Sequence, residues 1–291
     1  MKTEKQQVIA VIGGDTRSAH LANMLADEGY TVIVSALEKQ NITSLACFAG
    51  EIGESIGAAD IVVLPMPASR DGITLTAPLS YGAVYLSDIF AVCGKNQLIL
   101  GGMITPPVGR DLNIIDFAKR EDLSILNAVP TAEAAIEIAI RETDISIFGS
   151  ECLVVGFGRI GKLLAALLKA FHANVTVSAR KKSDIAWIKS GGYNAVGTND
   201  LPKSVSNADI IFNTVPSPVL GRKEIVKCKK SAVIIDLASL PGGTDFAAAE
   251  QNGVRALSAL SLPGKTAPRT AAAILCDIIK TITDETKERI G

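Results

Sequence analysis

Cys152-Leu-Val-Val-Gly-Phe-Gly-Arg-Ile-Gly-Lys-Leu-Leu-Ala-Ala-Leu-Leu-Lys-Ala-Phe-His-Ala-Asn-Val-Thr-Val-Ser-Ala-Arg180 is the stretch on which the fold turns. Cys152 to Val155 is a short apolar run with the length and branching of a buried strand. It breaks at Gly156, and Gly158 and Gly161 complete G-x-G-x-x-G. Ile160, Leu163, Leu164, Leu167 and Leu168 then repeat with the period of a helix, and Val175 to Ser178 reads as a second strand. Each glycine has its own reason: Gly156 permits the tight turn, Gly158 lets backbone approach a pyrophosphate, and Gly161 lets helix and strand pack closely. The positive end of the helix dipole faces the phosphates. Phe157, Arg159 and Ile160 belong to the same turn. A glycine turn that only packs would look alike, but the strand before it and the strand–helix order favour a dinucleotide site.

The second strand addresses which dinucleotide. NAD sites usually place an acid about 20 residues beyond the first glycines, to accept from the ribose 2′-hydroxyl. Here the region reads Ser178, Ala179, Arg180, Lys181, Lys182, Ser183, with no acid before Asp184. Arg180 and Lys181 would attract a 2′-phosphate, arginine as a bidentate fork. NADP is therefore expected ahead of NAD, the alternative being a solvated basic loop.

The 291 residues suit two domains, each large enough for its own core. With 48% hydrophobic residues and a net charge of −1, neither disorder nor a nucleic-acid surface is indicated. The polar start, Met1 to Gln7, is not expected to be a signal peptide, no uninterrupted apolar run reaches the ~18 residues of a membrane span, and a cytoplasmic location is expected. Cys47, Cys93, Cys152, Cys228 and Cys276 are scattered and odd in number, so they read as reduced thiols. With only His20 and His172, a histidine-based metal centre is not expected.

The first half alternates strand and helix: strand Val8–Ile12, glycines at 13 and 14, helix from Ser18 to Glu28, then strands Thr31–Val34, Asp60–Leu64 and Gln97–Leu100. A helix over Asp111–Arg120 and a strand over Leu123–Leu126 are expected to follow. After the opening unit the second half adds a helix near Asp184–Ser190, strands Asp209–Phe212, Val233–Asp236 and Val254–Leu257, and a helix Asp245–Asn252. Asp60-Ile-Val-Val-Leu-Pro-Met-Pro67 is echoed by Asp209-Ile-Ile-Phe-Asn-Thr-Val-Pro216. This pattern is α/β: two doubly wound parallel-sheet, Rossmann-like domains in tandem. The expected division is 1–129 for a substrate domain and 146–266 for the NADP domain. Two helices would join them with a cleft between the domains: 130–145, opened by Pro130 with Thr131 as N-cap, and 267–289, with the stripe Ala271, Ile274, Leu275, Ile278 and Ile282 packing on the first domain. Ligands in such sheets sit beyond the carboxyl ends of the strands. That points to the loops Gly13–Ser18, Pro65–Asp71, Gly101–Arg110, Thr214–Leu220 and Leu237–Gly243, and to Leu260–Thr270.

Taken together, Gly13-Gly-Asp15-x-Arg17, Pro130-Thr-Ala-Glu133, Gly156-Phe-Gly-Arg-Ile-Gly161, Asn213-Thr-Val-Pro216, Asp236-Leu-Ala-Ser-Leu-Pro-Gly-Gly-Thr-Asp245, Leu262-Pro-Gly264 and Ala267-Pro-x-Thr270 resemble the A-subunit family of dipicolinate synthase. The match spans nearly the whole chain. Gly13-Gly14-Asp15 lacks the third spaced glycine, so the first sheet is expected to bind substrate in place of a second nucleotide. The resemblance implies NADP-linked oxidation of a dihydro- or hydroxytetrahydro-dipicolinate during sporulation. It also implies a partner, the flavoprotein-like B subunit of dipicolinate synthase, in the mother cell of a spore-forming bacterium. A homo-oligomer is expected too.

Such chemistry removes a hydride and a proton from a ring that becomes aromatic, while two carboxylates are held in place. Arg17 is the leading carboxylate clamp, with Arg70, Arg269 and Lys265 behind it. Asp15, His20 and Glu133 are the candidate bases. Glu133 would equally complement the first turn of its helix, and His172 would sit at a helix end. Thr214 and Ser239 are expected to line the nicotinamide pocket, and Val215, Pro216, Leu237 and Ala238 are expected to belong to the cofactor site with them. The rivals are a 2-hydroxyacid or alanine dehydrogenase, against which stands the lack of a late histidine; a methylene-folate dehydrogenase, against which stands the absence of lysine between Lys5 and Lys39; and a non-catalytic NADP-sensing protein.

Overall fold

The computed structural model describes residues 7–40, 42 and 46–290; Met1 to Gln6 of the polar N-terminal segment lie outside the described residues. The chain divides into two compact units, Met1–Leu126 with Ala267–Gly291, and Asn127–Thr266.

In unit 1 the strands are β1 (Val8–Ile12), β2 (Thr31–Ser35), β3 (Ala46–Phe48), β4 (Ile61–Val63), β5 (Leu98–Gly101) and β6 (Asn113–Asp116). They form one sheet in the order β3-β2-β1-β4-β5-β6, every pair parallel. The helices are α1 (Thr16–Asp27), α2 (Ile52–Ala58) and α3 (Leu86–Val92), joined by α11 (Pro268–Ile290) from the chain's end. Because alternate residues of a strand face opposite ways, Ile9 and Val11 pack with α1 and α11, while Ala10 and Ile12 pack with α2 and α3. The apolar stripe of α11 is buried here, with Ala272, Leu275 and Ile279 against the α1 side of the sheet. Arg120 adds a charged tie, bonding both Asp122 and Glu285.

Unit 2 repeats the plan with β7 (Glu151–Val155), β8 (Asn174–Ala179), β9 (Asn194–Gly197), β10 (Ile210–Asn213), β11 (Val233–Asp236) and β12 (Arg255–Ser258), ordered β12-β11-β10-β7-β8-β9 and again all parallel. Read from the central strand outward, this is the order of the first sheet. Its helices are α4 (Glu121–Glu142), which begins before the unit boundary, α5 (Arg159–Ala170), α6 (Lys182–Ser190), α7 (Leu201–Asn207), α8 (Arg222–Ile225), α9 (Phe246–Gln251) and α10 (Leu262–Thr266). Leu164, Ala165 and Leu168 of α5 pack with Ile210 and Phe212 on one face; Val205 and Ala249 pack with Ile211 on the other.

The repeated Asp-Ile motif does the same work twice. Asp60 accepts from Val8 N at 3.0 Å through its side chain and donates its own N–H to Val8 O at 2.8 Å. Asp209 makes the same pair with Glu151, at 2.9 and 2.8 Å. Each aspartate thereby pins the start of the central strand to its neighbour. Burial alone would raise the Asp209 carboxyl, but Lys229 at 2.7 Å and the Glu151 N–H outweigh it and hold the group below the usual carboxylate range.

Three expectations are corrected. Asp111–Arg120 is not a helix: Asn113–Asp116 pairs with Leu98–Gly101 as an edge strand. Leu123–Leu126 lies in the opening turns of α4 and is no strand: Ser124 N donates to Arg120 O at 3.2 Å in the helical pattern, and Leu123 is buried while Ile125 and Leu126 are exposed. The connecting helix therefore starts at Glu121, with Pro130 in its interior and Thr131 no N-cap. Proline removes the donor to the carbonyl of Leu126, an exposed residue, and the Thr131 hydroxyl donates to Asn127 O at 2.7 Å. Glu133 consequently sits in the middle of α4, exposed and far from any N-terminal dipole. Among the described helices α4 alone is long and apolar enough to cross a membrane by composition, and half of that stretch is buried in protein.

Burial pushes the thiols of Cys93, Cys152, Cys228 and Cys276 up to about 11, whereas Cys47 is exposed on β3. At about pH 8 a thiol of that pKa is only ~0.1% thiolate, and it is also shielded from reagent. A colorimetric thiol titration is expected to count one fast-reacting cysteine in the native chain and five in denaturant; fast reaction of a second thiol in native protein would contradict the buried assignment.

Candidate functional site

The carboxyl ends of β7, β8 and β10 open on a cavity of about 510 Å³. Gly156, Ser178, Ala179, Arg180, Lys181 and Val215 line it together with Asp184, Thr198, Leu201, Ser217, Pro218, Val219 and Glu224. Gly156 leaves β7 with φ +102°, in the left-handed region that suits glycine, and its N–H bonds Ser178 O at 2.9 Å. A Cβ on Gly161 would stand 2.2 Å from Gly156 O, so the absence of a side chain there is what lets α5 lie against the turn. At Gly158 a Cβ would meet nothing within 4 Å, leaving this side of the turn open to an approaching ligand. No side chain caps the start of α5. Its positive end is thus available to an anion, with Arg159 at the first helical position.

Ser178 gives an independent sign that something polar belongs in the cavity. It is 1% exposed, and its hydroxyl has no hydrogen-bond partner among the described residues. The matching residue of unit 1 is Ser35, whose hydroxyl bonds that of Ser55 at 2.6 Å. A buried hydroxyl without a partner is costly by about 1–3 kcal/mol, and a bound ligand would relieve that cost. The glycine turn, the uncapped helix and this hydroxyl together fit a dinucleotide.

Unit 1 treats the equivalent place differently. Asp15 caps α1 by accepting from Arg17 N at 3.0 Å, so a carboxylate of the chain itself occupies the helix start. Leu75 and Ala77, from the segment after β4, press on Gly13, where a Cβ would meet them at 2.5 and 3.1 Å. Glu38, just past β2, accepts from Ala36 N and Tyr81 N. The turn that would face phosphates is filled by protein.

Arg17 departs from the expectation of an open clamp. It is 9% exposed, and Asp15 accepts from its Nε at 2.9 Å and from Nη2 at 2.9 Å, while Met66 O takes a second bond from Nη2 at 2.7 Å. Only Nη1 makes no hydrogen bond among the described residues. Asp15 is for the same reason already engaged by Arg17 and by the helix start. His20 is half-buried one turn further along α1. Glu133 belongs to the other unit.

In the loops after β10 and β11 the residues divide by depth. Thr214 turns inward, its hydroxyl donating to Val155 O at 2.9 Å; Leu237 and Ala238 are buried and Ser239 is exposed. Missed in the sequence were the cavity walls Thr198, Leu201, Ser217, Pro218, Val219 and Glu224. The signal for some of them was present in the loop Thr214–Leu220, flagged as a whole without individual residues. A second cavity of about 410 Å³, lined by Glu151, Asn194 and Lys203 among others, lies toward the strand starts and has no glycine turn.

Comparison with known proteins agrees with this geometry. Residues 8–118 match the family model of the N-terminal domain of the dipicolinate synthase A subunit, and residues 135–239 match that of the NAD binding domain of D-isomer specific 2-hydroxyacid dehydrogenases. The dipicolinate synthase A subunit of Bacillus subtilis is 33% identical over 97% of this chain and 98% of its own length. The chain belongs to the dipicolinate synthase A-subunit family. Crystal structures from this family superpose closely: that of the Bacillus subtilis protein has a TM-score of 0.88 at 31% identity, covering 98% of each chain. The Bacillus halodurans structure likewise has a TM-score of 0.88, at 26% identity over 95% of this chain and 97% of that one. Within the family frame, unit 2 is a nicotinamide-dinucleotide-binding domain of the dehydrogenase kind, and the chain is an oxidoreductase of that fold.

Proposed function

We propose that this chain oxidises a dihydro- or 4-hydroxy-tetrahydro-dipicolinate to pyridine-2,6-dicarboxylate with NADP, in the mother cell cytoplasm of a spore-forming bacterium and together with a flavoprotein-like B subunit. The observation that carries the dinucleotide choice is the end of β8, where Arg180 and Lys181 line the cavity and the run from Ser178 to Ser183 carries no acid, the acids of the lining, Asp184 and Glu224, lying on α6 and α8. Support for the substrate comes from the Bacillus subtilis relative, whose name is that of a dipicolinate synthase.

A nicotinamide dinucleotide held in this cavity would supply the hydride acceptor for the ring. The remaining work falls to the chain. Ser178 and the start of α5 hold the dinucleotide, and Arg180 with Lys181 takes its 2′-phosphate. In unit 1 Arg17, buried and held by Asp15 and Met66 O, is assigned to a substrate carboxylate through Nη1, the nitrogen without a hydrogen bond among the described residues. The ring must also lose a proton from the carbon next to the one that gives up the hydride. Of the three candidate bases Asp15 is already engaged by Arg17 and Glu133 belongs to unit 2, so the half-buried His20 of α1 is the one assigned to take it, at an imidazole nitrogen. Glu133 is left outside this assignment. A hydroxylated substrate loses water first, so both forms lead to the same two-hydrogen oxidation.

The test follows NADPH absorbance when freshly made dihydrodipicolinate meets the chain with NADP or NAD, with and without the B subunit. Turnover that prefers NADP is expected. NADP binding without turnover, with the partner present, would sink the catalytic reading and favour a sensing role.

A further inference from the structure

The carboxylate of Asp236 is 2% exposed at the end of β11, and among the described residues no lysine or arginine pairs with it. Three N–H groups hold it instead: Asn213 Nδ2 at 3.0 Å and Ala238 N at 3.0 Å on Oδ1, and Gly243 N at 3.1 Å on Oδ2. Asn213, fully buried at the end of β10, reaches the other way: Val215 N donates to its Oδ1 and its Nδ2 donates to Val215 O, each at 3.1 Å. From Val215 the chain of contacts continues to the dinucleotide turn. A Cβ on Gly156 would meet Thr214 Oγ1 at 2.4 Å and Val215 Cγ2 at 2.8 Å, and Val215, Ser217, Pro218 and Val219 form one wall of the cavity.

Burying a carboxylate among neutral donors is worthwhile only where those donors must be fixed in position. We infer that Asp236 and Asn213 are positioning residues for the cofactor, a buried latch that fixes the Val215–Val219 wall against the glycine turn. Neither touches the cavity; both act through Val215. The loops are also tied by Gly243 O, which accepts from Val219 N at 3.1 Å and Leu220 N at 2.9 Å, so releasing the latch loosens the wall without detaching it. The inference rests on the reading of this cavity as the dinucleotide site.

Two substitutions break the latch from opposite sides. Asp236→Asn keeps the shape, yet its amide nitrogen must face either Gly243 N or another donor. Asn213→Ala removes both bonds to Val215 and leaves Asp236 its two backbone donors. NADP dissociation constants are to be measured by titration of the full chain, well below each variant's melting temperature, with circular dichroism confirming the fold. Each variant is expected to bind NADP at least ~10-fold more weakly while folded, and wherever turnover is measurable KM for NADP should rise with kcat within about threefold. Wild-type affinity in either folded variant, whatever its melting temperature, overturns the inference. If the wild-type chain itself binds no NADP, the dinucleotide reading fails, and that outcome is distinguishable from a failed latch.

Discussion

Gly161→Ala is expected to weaken NADP binding about 100-fold and to lower the melting temperature. In general, Gly→Ala inside a helix gains roughly 0.5–1 kcal/mol by restricting the unfolded chain. Here the added methyl would lie 2.2 Å from the Gly156 carbonyl oxygen and 3.0 Å from its carbon, both backbone atoms that cannot swing aside. An ordinary contact needs roughly 1 Å more, so either α5 tilts away from β7 or the turn moves. Overpacking of this kind costs about 1–3 kcal/mol, which exceeds the helix gain and fixes the sign. The larger consequence is for the ligand, because the same shift separates the start of α5 from Gly156 and Gly158. A displacement near 1 Å at a binding loop is worth ~100-fold. Calorimetric titration with NADP and thermal melts would check both parts. An affinity within threefold of wild type would show that α5 is not held at this distance by need.

Much of this architecture was legible because two periods dominate the sequence. The strand, glycine turn and helix from Cys152 to Ser178 read correctly, since buried parallel strands are short apolar runs and the α5 stripe repeats at helical spacing. The Asp60 and Asp209 echo likewise reported a real structural repeat, each aspartate pinning a central strand. What failed did so for identifiable reasons. Asn113–Asp116 is an edge strand with its residues only half-buried or exposed, so it lacks the apolar run that marks an inner strand. Leu123–Leu126 is too short for periodicity to separate strand from helix, and Pro130 drew the helix start nine residues late, from Glu121 to Pro130. Proline argues for a boundary because it lacks a donor, yet α4 runs through Pro130, with the one carbonyl it leaves without a helical donor on the exposed residue Leu126. Arg17 illustrates a different limit. Asp15-x-Arg17 is compatible with an open clamp or a closed ion pair, and only three-dimensional placement shows the guanidinium turned onto Asp15. The Asn213–Asp236 latch spans 23 residues and two strands, and nothing local in either segment announces it.

The sharpest test of the cofactor reading is a change of charge at one exposed position. Arg180→Asp is expected to shift the ratio of NADP to NAD affinity by about 1000-fold toward NAD. Two effects add. Loss of a charge-assisted fork to the 2′-phosphate removes about 1.5–3 kcal/mol, and a carboxylate placed beside that phosphate repels it by a similar amount. With tenfold per 1.4 kcal/mol, roughly 4 kcal/mol in total gives three decades. NAD gains what NADP loses in kind, since an acid at the end of β8 can accept from the ribose 2′-hydroxyl. Because Arg180 is exposed and makes no ion pair among the described residues, stability should stay within about 0.5 kcal/mol of wild type, separating a change in recognition from a change in folding. Exposure also predicts a salt effect: the wild-type preference for NADP should shrink as ionic strength rises, while NAD affinity holds nearly constant. Parallel titrations with both dinucleotides at low and high salt read all of this at once. Equal losses for NADP and NAD would place Arg180 on the pyrophosphate, and no change for either would leave Arg180 and Lys181 a solvated turn before α6 and return the NADP assignment to the family resemblance alone.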